Sequence, residues 1–398
     1  MACALDATGA CYGSTAVLVT IDDLRRRARR RLPRAVFDFI DGGAEDELTL
    51  RRNESAFKQI TFRPRVLVDT RARDQSTTVL GQRLSTPLIL APTGLCGMAA
   101  PRGEILAARA SLNGGVIFTL SSMSAVSIED TARAVPGPHW FQLYVWRDRD
   151  LTRSLVERAA AAGYRAMVVT VDVPVLGQRE RDLRNGATIP PRITLRNALD
   201  SLLKLGWVVR MARNPRIDFV NVPRPRESLG PFALGPFVNS QFDPSVSWND
   251  LAWFRSIWPG PLVLKGIMSA EDARRAVDHG VNAIVVSNHG GRQLDGLPAA
   301  IEVLPEVADA VGNDMEVLFD GGIRRGTDVV KALALGARAC MIGRPYLYGL
   351  GAAGQAGVER SVQILRAEID RAQALLGRPS LTDIDRRTVR LPTTWLRD

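Results

Sequence analysis

The chain has 398 residues, of which 46% are hydrophobic and 24% are charged, a composition that excludes a disordered, collagen-like or coiled-coil protein. No apolar run reaches the roughly 18 residues that span a bilayer, and residues 1–20 lack the Lys or Arg that begins a secretory signal. The net charge of +10 favours acidic partners, which include nucleic acid, anionic lipid and acidic small molecules.

The number and spacing of the cysteines and histidines narrow the class of protein further. The four cysteines are scattered without a CxxC motif or a zinc spacing, so we expect no disulfide scaffold and a cytoplasmic protein. Only three histidines occur, which argues against a multi-histidine metal site. We therefore predict that no metal is bound.

The N-terminal region predicts helices before the main body. Residues 1–20 are expected to form a flexible tail. Thr20 followed three residues later by Asp23 is typical of a helix start. A second short helix is predicted from Arg34 to Asp41, ended by Gly42-Gly43, and the polar segment up to Asp69 is expected to be a connection.

From residue 87 short apolar runs alternate with helical patterns. The predicted helices include Gly103–Leu112, Asp150–Ala162, Ala270–His279 and Thr327–Leu335. The predicted strands are Pro87–Thr93, Val116–Leu120, Trp140–Val145, Ala166–Asp172, Leu262–Gly266, Ala283–Ser287, Glu316–Asp320 and Cys340–Gly343. Such alternation indicates a parallel sheet buried on both faces, and eight units predict an α/β (β/α)8 TIM barrel. Residues 21–398 are predicted to form one domain.

A long insertion separates the fourth and fifth predicted strands and covers residues 177–247. Within it, residues 186–240 interleave leucines with basic residues, and Leu195–Arg213 has near-helical apolar spacing with Trp207 as a candidate interfacial residue. We predict either a segment that binds an anionic membrane surface or a lid over the substrate site. A solvated surface loop is the plain alternative. A second basic run, Arg25–Arg34, holds seven arginines and no acid.

Polar residues stand at the carboxyl ends of all eight predicted strands, which is where TIM barrels place reactive groups. The residues concerned are Thr93, Gly94, Ser121, Gln142, Tyr144, Thr170, Asp172, Lys265, Ser287, His289, Asp320, Arg324, Gly343 and Arg344. Buried polar groups cost free energy unless they are paired, so this concentration predicts an active site.

Two features specify the chemistry. The glycine-rich turns Asp320–Gly326 and Gly343-Arg344 follow the last two strands, the usual phosphate position of the fold. No GxGxxG motif follows a strand, so a Rossmann nicotinamide site is unsupported.

His289, with Asp172 to orient it, is a candidate general base. Arg179 and Arg292 are candidates for holding a carboxylate, and buried Lys265 for balancing an anionic cofactor.

Together these motifs resemble the FMN-dependent L-2-hydroxy acid oxidases and dehydrogenases, the family of glycolate oxidase, membrane lactate dehydrogenase and (S)-mandelate dehydrogenase. The resemblance covers about residues 21–380 and rests on SNHGGRQLD (287–295), DGGIRRG (320–326), FQLYV (141–145) and LKG (264–266). APTGLCGM (91–98) and FDPSVSW (242–248) resemble the membrane-associated dehydrogenase branch in particular.

The resemblance implies FMN as cofactor and a role for each matching residue. His289 is the base with Asp172 as its partner, Arg179 and Arg292 hold the substrate carboxylate, and Tyr144 contacts the substrate oxygen. Lys265 stabilises reduced flavin. The remaining residues implied to contact the cofactor are Thr93, Gly94, Ser121, Gln142, Thr170 and Ser287 around the ring, and Asp320, Gly322, Arg324, Gly343 and Arg344 around the phosphate.

One position departs from the family pattern. Where the family has a Tyr that touches the substrate carboxylate, this chain has Phe39. Loss of that hydroxyl is expected to weaken carboxylate binding by roughly 1–3 kcal/mol unless another group replaces it. This admits a bulkier or less polar substrate than lactate or glycolate.

The resemblance implies oxidation of an (S)-2-hydroxy acid to a 2-keto acid, with electrons passed to quinone or another acceptor. It also implies a homo-oligomer, a tetramer by family pattern, that is cytoplasmic or peripheral on the inner face of the cytoplasmic membrane. Alternatives are an oxidase that reduces O₂ to hydrogen peroxide, and oxidation of a bulkier natural-product precursor. A nucleic-acid-binding barrel explains the charge but not the polar strand ends, so no nucleic acid is expected.

Overall fold

A computed structural model describes residues 18–185, 200–213, 219–222 and 241–395. Most of the predicted N-terminal tail and large parts of the 186–240 segment therefore lie outside the described residues.

Eight parallel strands close into a barrel. They are β4 (Leu88–Leu90), β5 (Ile117–Ser121), β6 (Trp140–Leu143), β7 (Ala166–Thr170), β8 (Leu262–Ile267), β9 (Ala283–Val286), β10 (Glu316–Asp320) and β11 (Ala339–Ile342). Each pairs with the next, and β11 closes on β4. This confirms the predicted TIM barrel, although β4 is shorter than the apolar run that predicted it. Side chains such as Trp140, Val168 and Leu318 fill the interior.

Helices cover the outside of the barrel between successive strands. They are α4 (Gly103–Gly114), α5 (Ile128–Ala134), α6 (Arg149–Ala161), α9 (Asp250–Ile257), α10 (Ala270–Asp278), α11 (Ala300–Val311), α12 (Gly326–Ala334), α13 (Arg344–Ala353) and α14 (Gln355–Leu376). Several start with a side-chain cap that satisfies exposed backbone N–H groups, as Ser269 does for α10. The apolar faces of these helices and of the strands form one continuous core.

Three helices precede the barrel: α1 (Ile21–Arg31), α2 (Arg34–Asp41) and α3 (Leu48–Gln59). Thr20 and Asp23 form the predicted capping box of α1. The polar segment up to Asp69, expected as a connection to the main body, contains the helix α3, which the sequence analysis did not predict. Leu50, Ala56 and Phe57 are buried on one face of that helix, but its exposed positions are mostly polar and hid the helical period.

Two small antiparallel pairs complete the described fold. The strand β1 (Thr61–Phe62) pairs with β12 (Val389–Arg390), so the N-terminal segment meets the C-terminal segment. The strands β2 (Thr77–Val79) and β3 (Gln82–Leu84) form a hairpin before the barrel.

The described parts of the insertion include α7 (Glu180–Arg184) and α8 (Leu205–Arg213). Trp207, the candidate interfacial residue, is half-buried, and its indole N–H donates to the Met98 carbonyl at 2.9 Å. Within the described residues, no helix combines the length and the apolar character needed to cross a bilayer.

Candidate active site

A cavity of about 200 Å³ lies at the carboxyl ends of the barrel strands and contains most of the predicted site residues. Those lining it are Thr93, Gly94, Tyr144, Thr170, Arg179, Lys265, His289, Arg292, Asp320, Gly322, Arg324, Gly343 and Arg344. Ser121, Gln142, Asp172 and Ser287 stand one layer behind and contact lining residues.

His289 and Asp172 form a hydrogen-bonded pair at the centre of the cavity wall. The Nδ1 atom of His289 lies 3.0 Å from Asp172 Oδ1, and its Nε2 atom lies 3.4 Å from the Tyr144 hydroxyl. A proton on Nδ1 that is donated to the carboxylate leaves the Nε2 lone pair facing the cavity. Burial raises the pKa of Asp172, but the contact with His289 outweighs it and the net shift is downward. The pair can therefore accept a proton and stabilise the resulting imidazolium.

The backbone next to His289 and Asp172 adopts conformations that let the two side chains lie close together. His289 itself has a positive φ of 56°, and its N–H donates to Ser287 Oγ at 3.1 Å. Gly266 has φ 113°, and a Cβ there would lie 2.7 Å from the Asp172 Cβ. A larger residue at 266 would therefore displace the carboxylate that orients the imidazole.

Two arginines, Arg179 and Arg292, carry positive charge in the part of the cavity near Tyr144. Arg292 donates to the Phe39 and Gly42 carbonyls, each at 2.9 Å, and its guanidinium lies 5.3 Å from the centre of the Phe39 ring. Burial, then the nearby Arg179 and Arg344, lowers the pKa of Arg292 well below its usual value. Such mutual repulsion of buried cations is relieved when a carboxylate enters between them.

A further cationic group, Arg344, lies beside β10 and β11 and shares the Gly42 carbonyl with Arg292 as an acceptor. Arg344 donates to the backbone carbonyls of Asp41, Gly42 and Gly290 at 3.2, 2.7 and 2.9 Å. Arg324 donates to Glu54 at 2.8 Å. Three of the five N–H groups of Arg344 are thus oriented by neutral oxygens, which leaves its charge available to an anion such as a phosphate.

Lys265 and Asp320 form a buried ion pair in the cavity wall. Lys265 is 4% exposed, and its Nζ lies 2.8 Å from Asp320 Oδ2 and 2.9 Å from Ser287 Oγ. Burial lowers the pKa of Lys265, but the Asp320 and Asp172 carboxylates outweigh it and raise the pKa overall. Among the described residues, no group donates a hydrogen bond to the buried Oδ1 atom of Asp320. That oxygen can accept one from a ligand hydroxyl.

Side-chain hydrogen bonds fix the strand ends on the remaining wall. Ser121 Oγ donates to Gln142 Oε1 at 2.8 Å, and Gln142 Nε2 donates to Thr170 Oγ1 at 2.9 Å. Thr93 is held from behind by the Tyr346 hydroxyl and by Cys96 Sγ. These hydrogen bonds fix the polar side chains on β5, β6 and β7 and in the loop after β4.

Sequence reasoning missed the apolar part of the cavity. Met123, Val173, Leu176 and Phe219 line it together with Phe39. Each lies in a loop after a strand, where an apolar side chain gives no periodic pattern. They form a surface suited to an apolar substrate side chain.

The chain matches a family model described as FMN-dependent dehydrogenase over residues 28–391. A putative L-lactate dehydrogenase of Mycobacterium tuberculosis is 48% identical over 372 residues, which are 93% of this chain and 89% of that protein. The glycolate oxidase of Spinacia oleracea is 43% identical over 369 residues, covering 93% of this chain and 95% of the oxidase.

Solved structures agree with the sequence relatives. The crystal structure of the monotopic membrane protein (S)-mandelate dehydrogenase superposes with a TM-score of 0.90 at 41% identity, covering 95% of this chain and all of that one. A soluble mutant of the membrane-associated (S)-mandelate dehydrogenase from Pseudomonas putida gives a TM-score of 0.81 at 40% identity, covering 94% of this chain and 100% of that one.

The residues of the cavity fit FMN. A phosphate needs cations that carboxylates do not neutralise, and Arg344 supplies one. Ribityl hydroxyls need acceptors, and Asp320, which lines the cavity, has a carboxylate oxygen, Oδ1, without a donor among the described residues. A reduced flavin ring carries negative charge, which the ammonium of Lys265 can balance.

We expect Arg344→Met to weaken FMN binding selectively. Charge-assisted hydrogen bonds contribute about 1.5–3 kcal/mol each, so the Kd for FMN should rise roughly 10- to 150-fold. Riboflavin lacks the phosphate, and its Kd should stay the same. Titration of apoprotein with each ligand, followed by flavin fluorescence, measures both values. Equal weakening of the two ligands would place Arg344 outside the phosphate site.

Proposed function

The chain belongs to the family of FMN-dependent dehydrogenases, and on that premise we propose that it oxidises an (S)-2-hydroxy acid, lactate- or mandelate-like, to the 2-keto acid with His289 as base. The observation that carries the proposal is the His289–Asp172 pair, with Nδ1 bound to the carboxylate at 3.0 Å, beside the cationic surface of Arg179 and Arg292. The proposed reaction requires the protein to remove a proton from the substrate and to bind the substrate carboxylate.

His289 takes the first role in the proposed mechanism. Its Nε2 atom accepts a proton from the substrate, either from the hydroxyl group or from the α-carbon. Asp172 stabilises the imidazolium that forms, because its carboxylate lies within 3.2 Å of Nδ1 and is held in its charged form. The Tyr144 hydroxyl, 3.4 Å from Nε2, hydrogen-bonds the substrate oxygen at the same place.

Arg179 and Arg292 orient the substrate by its carboxylate. Both line the cavity on the side of His289, and the fixed fork of a guanidinium suits the two oxygens. When bound, FMN supplies the acceptor for the two electrons that leave the α-carbon. Lys265 places positive charge beside it, and we assign Asp320 to a ribityl hydroxyl rather than to the phosphate, since two anions repel each other.

The apolar lining favours a substrate larger than glycolate. Met123, Leu176 and Phe219 face the cavity, and Phe39 brings an apolar ring to the carboxylate side. An aryl or branched aliphatic side chain would remove this surface from water at about 25 cal/mol per Å². Natural-product precursors that carry a 2-hydroxy acid group remain the bulkier alternative.

The proposed electron acceptor is quinone or another organic compound, with O₂ as the alternative. The relatives include proteins named as dehydrogenases and proteins named as oxidases, so the family supports both. Reoxidation of reduced enzyme in the presence of either acceptor, with hydrogen peroxide measured in parallel, separates the two.

Anaerobic mixing with (S)-2-hydroxy acids tests the function directly. We expect mandelate or another bulky (S)-2-hydroxy acid to bleach the flavin absorbance, and the (R)-enantiomer to leave it unchanged. His289→Gln should retain FMN but reduce it at least about 100-fold more slowly, because general base catalysis contributes 10²–10⁴-fold. Absence of bleaching with every acid tested would contradict the proposal. A His289→Gln variant with more than a tenth of the wild-type rate would remove His289 from the role of base.

The Phe39→Tyr variant should improve the binding of small acids such as lactate. The added hydroxyl can reach the carboxylate that Arg292 binds, since the guanidinium lies 5.3 Å from the ring. A hydrogen bond to a charged group contributes about 1.5–3 kcal/mol, so Kd should fall roughly tenfold or more. Stopped-flow reduction at several lactate concentrations gives this Kd. An unchanged value for every acid would show that position 39 does not contact the substrate.

We also propose a homo-oligomeric enzyme that attaches peripherally to the inner face of the cytoplasmic membrane through the 186–240 segment. In the described part of that segment, Leu202, Leu203 and Leu205 are 59%, 81% and 65% exposed. Lys204 bonds the Arg30 carbonyl at 3.0 Å, which brings the leucines beside the arginine-rich α1. Apolar side chains surrounded by cations suit an anionic headgroup region.

Flotation with anionic liposomes tests the attachment. Leu203→Ser/Leu205→Ser should lose most of the bound fraction, while Leu375→Ser, which changes a leucine that is 72% exposed elsewhere, should not. High salt should also release the wild-type protein, because the attraction to anionic lipid is screened. Equal flotation of both variants and the wild type would favour a lid function for the insertion.

A further inference from the structure

Arg181 lies two residues after Arg179 but points away from the cavity. Arg179 immediately precedes the short helix α7 and lines the cavity, whereas Arg181, within α7, contacts the N-terminal helices. No residue of α7 is buried. Apolar packing therefore does not fix this helix, and its position depends on polar contacts.

The guanidinium of Arg181 is surrounded by three carboxylates. Its Nη1 atom lies 3.2 Å from Asp41 Oδ2 and 3.9 Å from Asp38 Oδ1, and its Nη2 atom donates to Glu47 Oε2. Burial lowers the pKa of Arg181, but these carboxylates outweigh it and raise the pKa overall. We call Asp38, Asp41 and Glu47 the acidic anchor.

The acidic anchor is itself held rigidly. Asp41 is 5% exposed, and it accepts two bonds from Arg25 at 2.6 and 2.9 Å and one from the Tyr348 hydroxyl at 2.7 Å. Glu47 Oε1 accepts the N–H of Gly43 at 2.9 Å. A carboxylate fixed in this way can define the position of a helix that contacts it.

The same stretch of backbone also holds Arg292. The Phe39 and Gly42 carbonyls each accept a bond from Arg292 at 2.9 Å, and the N–H of Glu45 donates to the Gln178 carbonyl at 2.9 Å. Both substrate-side arginines are therefore positioned relative to residues 39–47. Arg179 and Arg292 repel each other electrostatically, and Asp182 of α7, whose carboxylate lies 3.9 Å from Arg179, offsets part of that repulsion. Asp182 does so only while α7 keeps its position, so the spacing of the two arginines depends on what holds α7.

We infer that Arg181 is a positioning residue for the substrate carboxylate, because it binds α7 to the acidic anchor and so sets the distance between Arg179 and Arg292. The inference rests on the proposed function, in which those two arginines hold the carboxylate. Without Arg181, the repulsion from Arg292 moves Arg179 outward and the two-point grip on the carboxylate weakens.

The test compares Arg181→Met with Arg184→Met in the FMN-loaded enzyme. Arg184 is on the same helix, 74% exposed in its side chain, and pairs with Glu180, so it is a matched control. Arg181→Met leaves the bonds of Asp41 to Arg25 and Tyr348 in place, so the fold should persist. Oxalate is the probe of carboxylate binding, since it carries carboxylates but has no α-hydrogen and therefore cannot turn over. Its Kd is measured by isothermal titration calorimetry, and KM and kcat are measured with the best 2-hydroxy acid.

We expect Arg181→Met to raise the oxalate Kd and the KM about tenfold, with kcat and the FMN Kd within about twofold of wild type. Arg181→Lys, which keeps the charge, should recover part of the loss, and Arg184→Met should match wild type. An unchanged oxalate Kd in Arg181→Met would overturn the inference. Parallel losses in kcat and FMN binding would also overturn it, because they indicate a general structural role. If the wild-type enzyme binds oxalate but no 2-hydroxy acid reduces its flavin, the proposed function is contradicted. The oxalate Kd of Arg181→Met still tests the inference in that case.

Discussion

The site depends on guanidinium groups that must be oriented firmly while their positive charge remains available. Arg292 and Arg344 meet this requirement by donating to backbone carbonyls of Phe39, Gly42 and Gly290. A carbonyl oxygen fixes the direction of an N–H group without cancelling its charge, whereas a carboxylate in the same place would compete with an incoming anion. The left-handed turn at Gly290-Gly291 and the end of α2 at Gly42 supply carbonyls at the required positions.

Carboxylates occupy the cavity wall and the layer behind it, since Asp320 lines the cavity whereas Asp172 and Asp41 do not. Asp172 orients His289, Asp320 neutralises Lys265, and Asp41 receives Arg25 and Arg181. The charges of the cavity surface are thus set by buried partners in its wall and behind it. A substitution in this second layer is expected to change orientation and affinity more than the chemical step itself.

The barrel and the composition of the cavity could be predicted from the sequence, because eight apolar runs and the polar residues after them carry that information locally. Because the strands are parallel, the residues that follow them lie at one face of the barrel, whatever the conformation of the loops. The Arg181–Asp41 contact could not be predicted, because its partners are 140 residues apart and each is one charged residue among many. The helix α3 was missed for a related reason, because its buried face depends on the surface that the finished barrel offers to a mostly polar segment.

The surroundings of Arg344 join the N-terminal and C-terminal parts of the described chain. Arg344 bonds the carbonyls of Asp41 and Gly42, which precede it by 303 and 302 residues, and β1 pairs with β12 near the C-terminus. Ribosomes add about 5–20 residues per second, so residues 41–42 wait roughly 15–60 s for these partners. The nascent chain therefore lacks the Arg344 part of the cavity wall until the last βα unit has been synthesised. If Arg344 holds the FMN phosphate as proposed, a ribosome-bound fragment without that unit offers FMN an incomplete site.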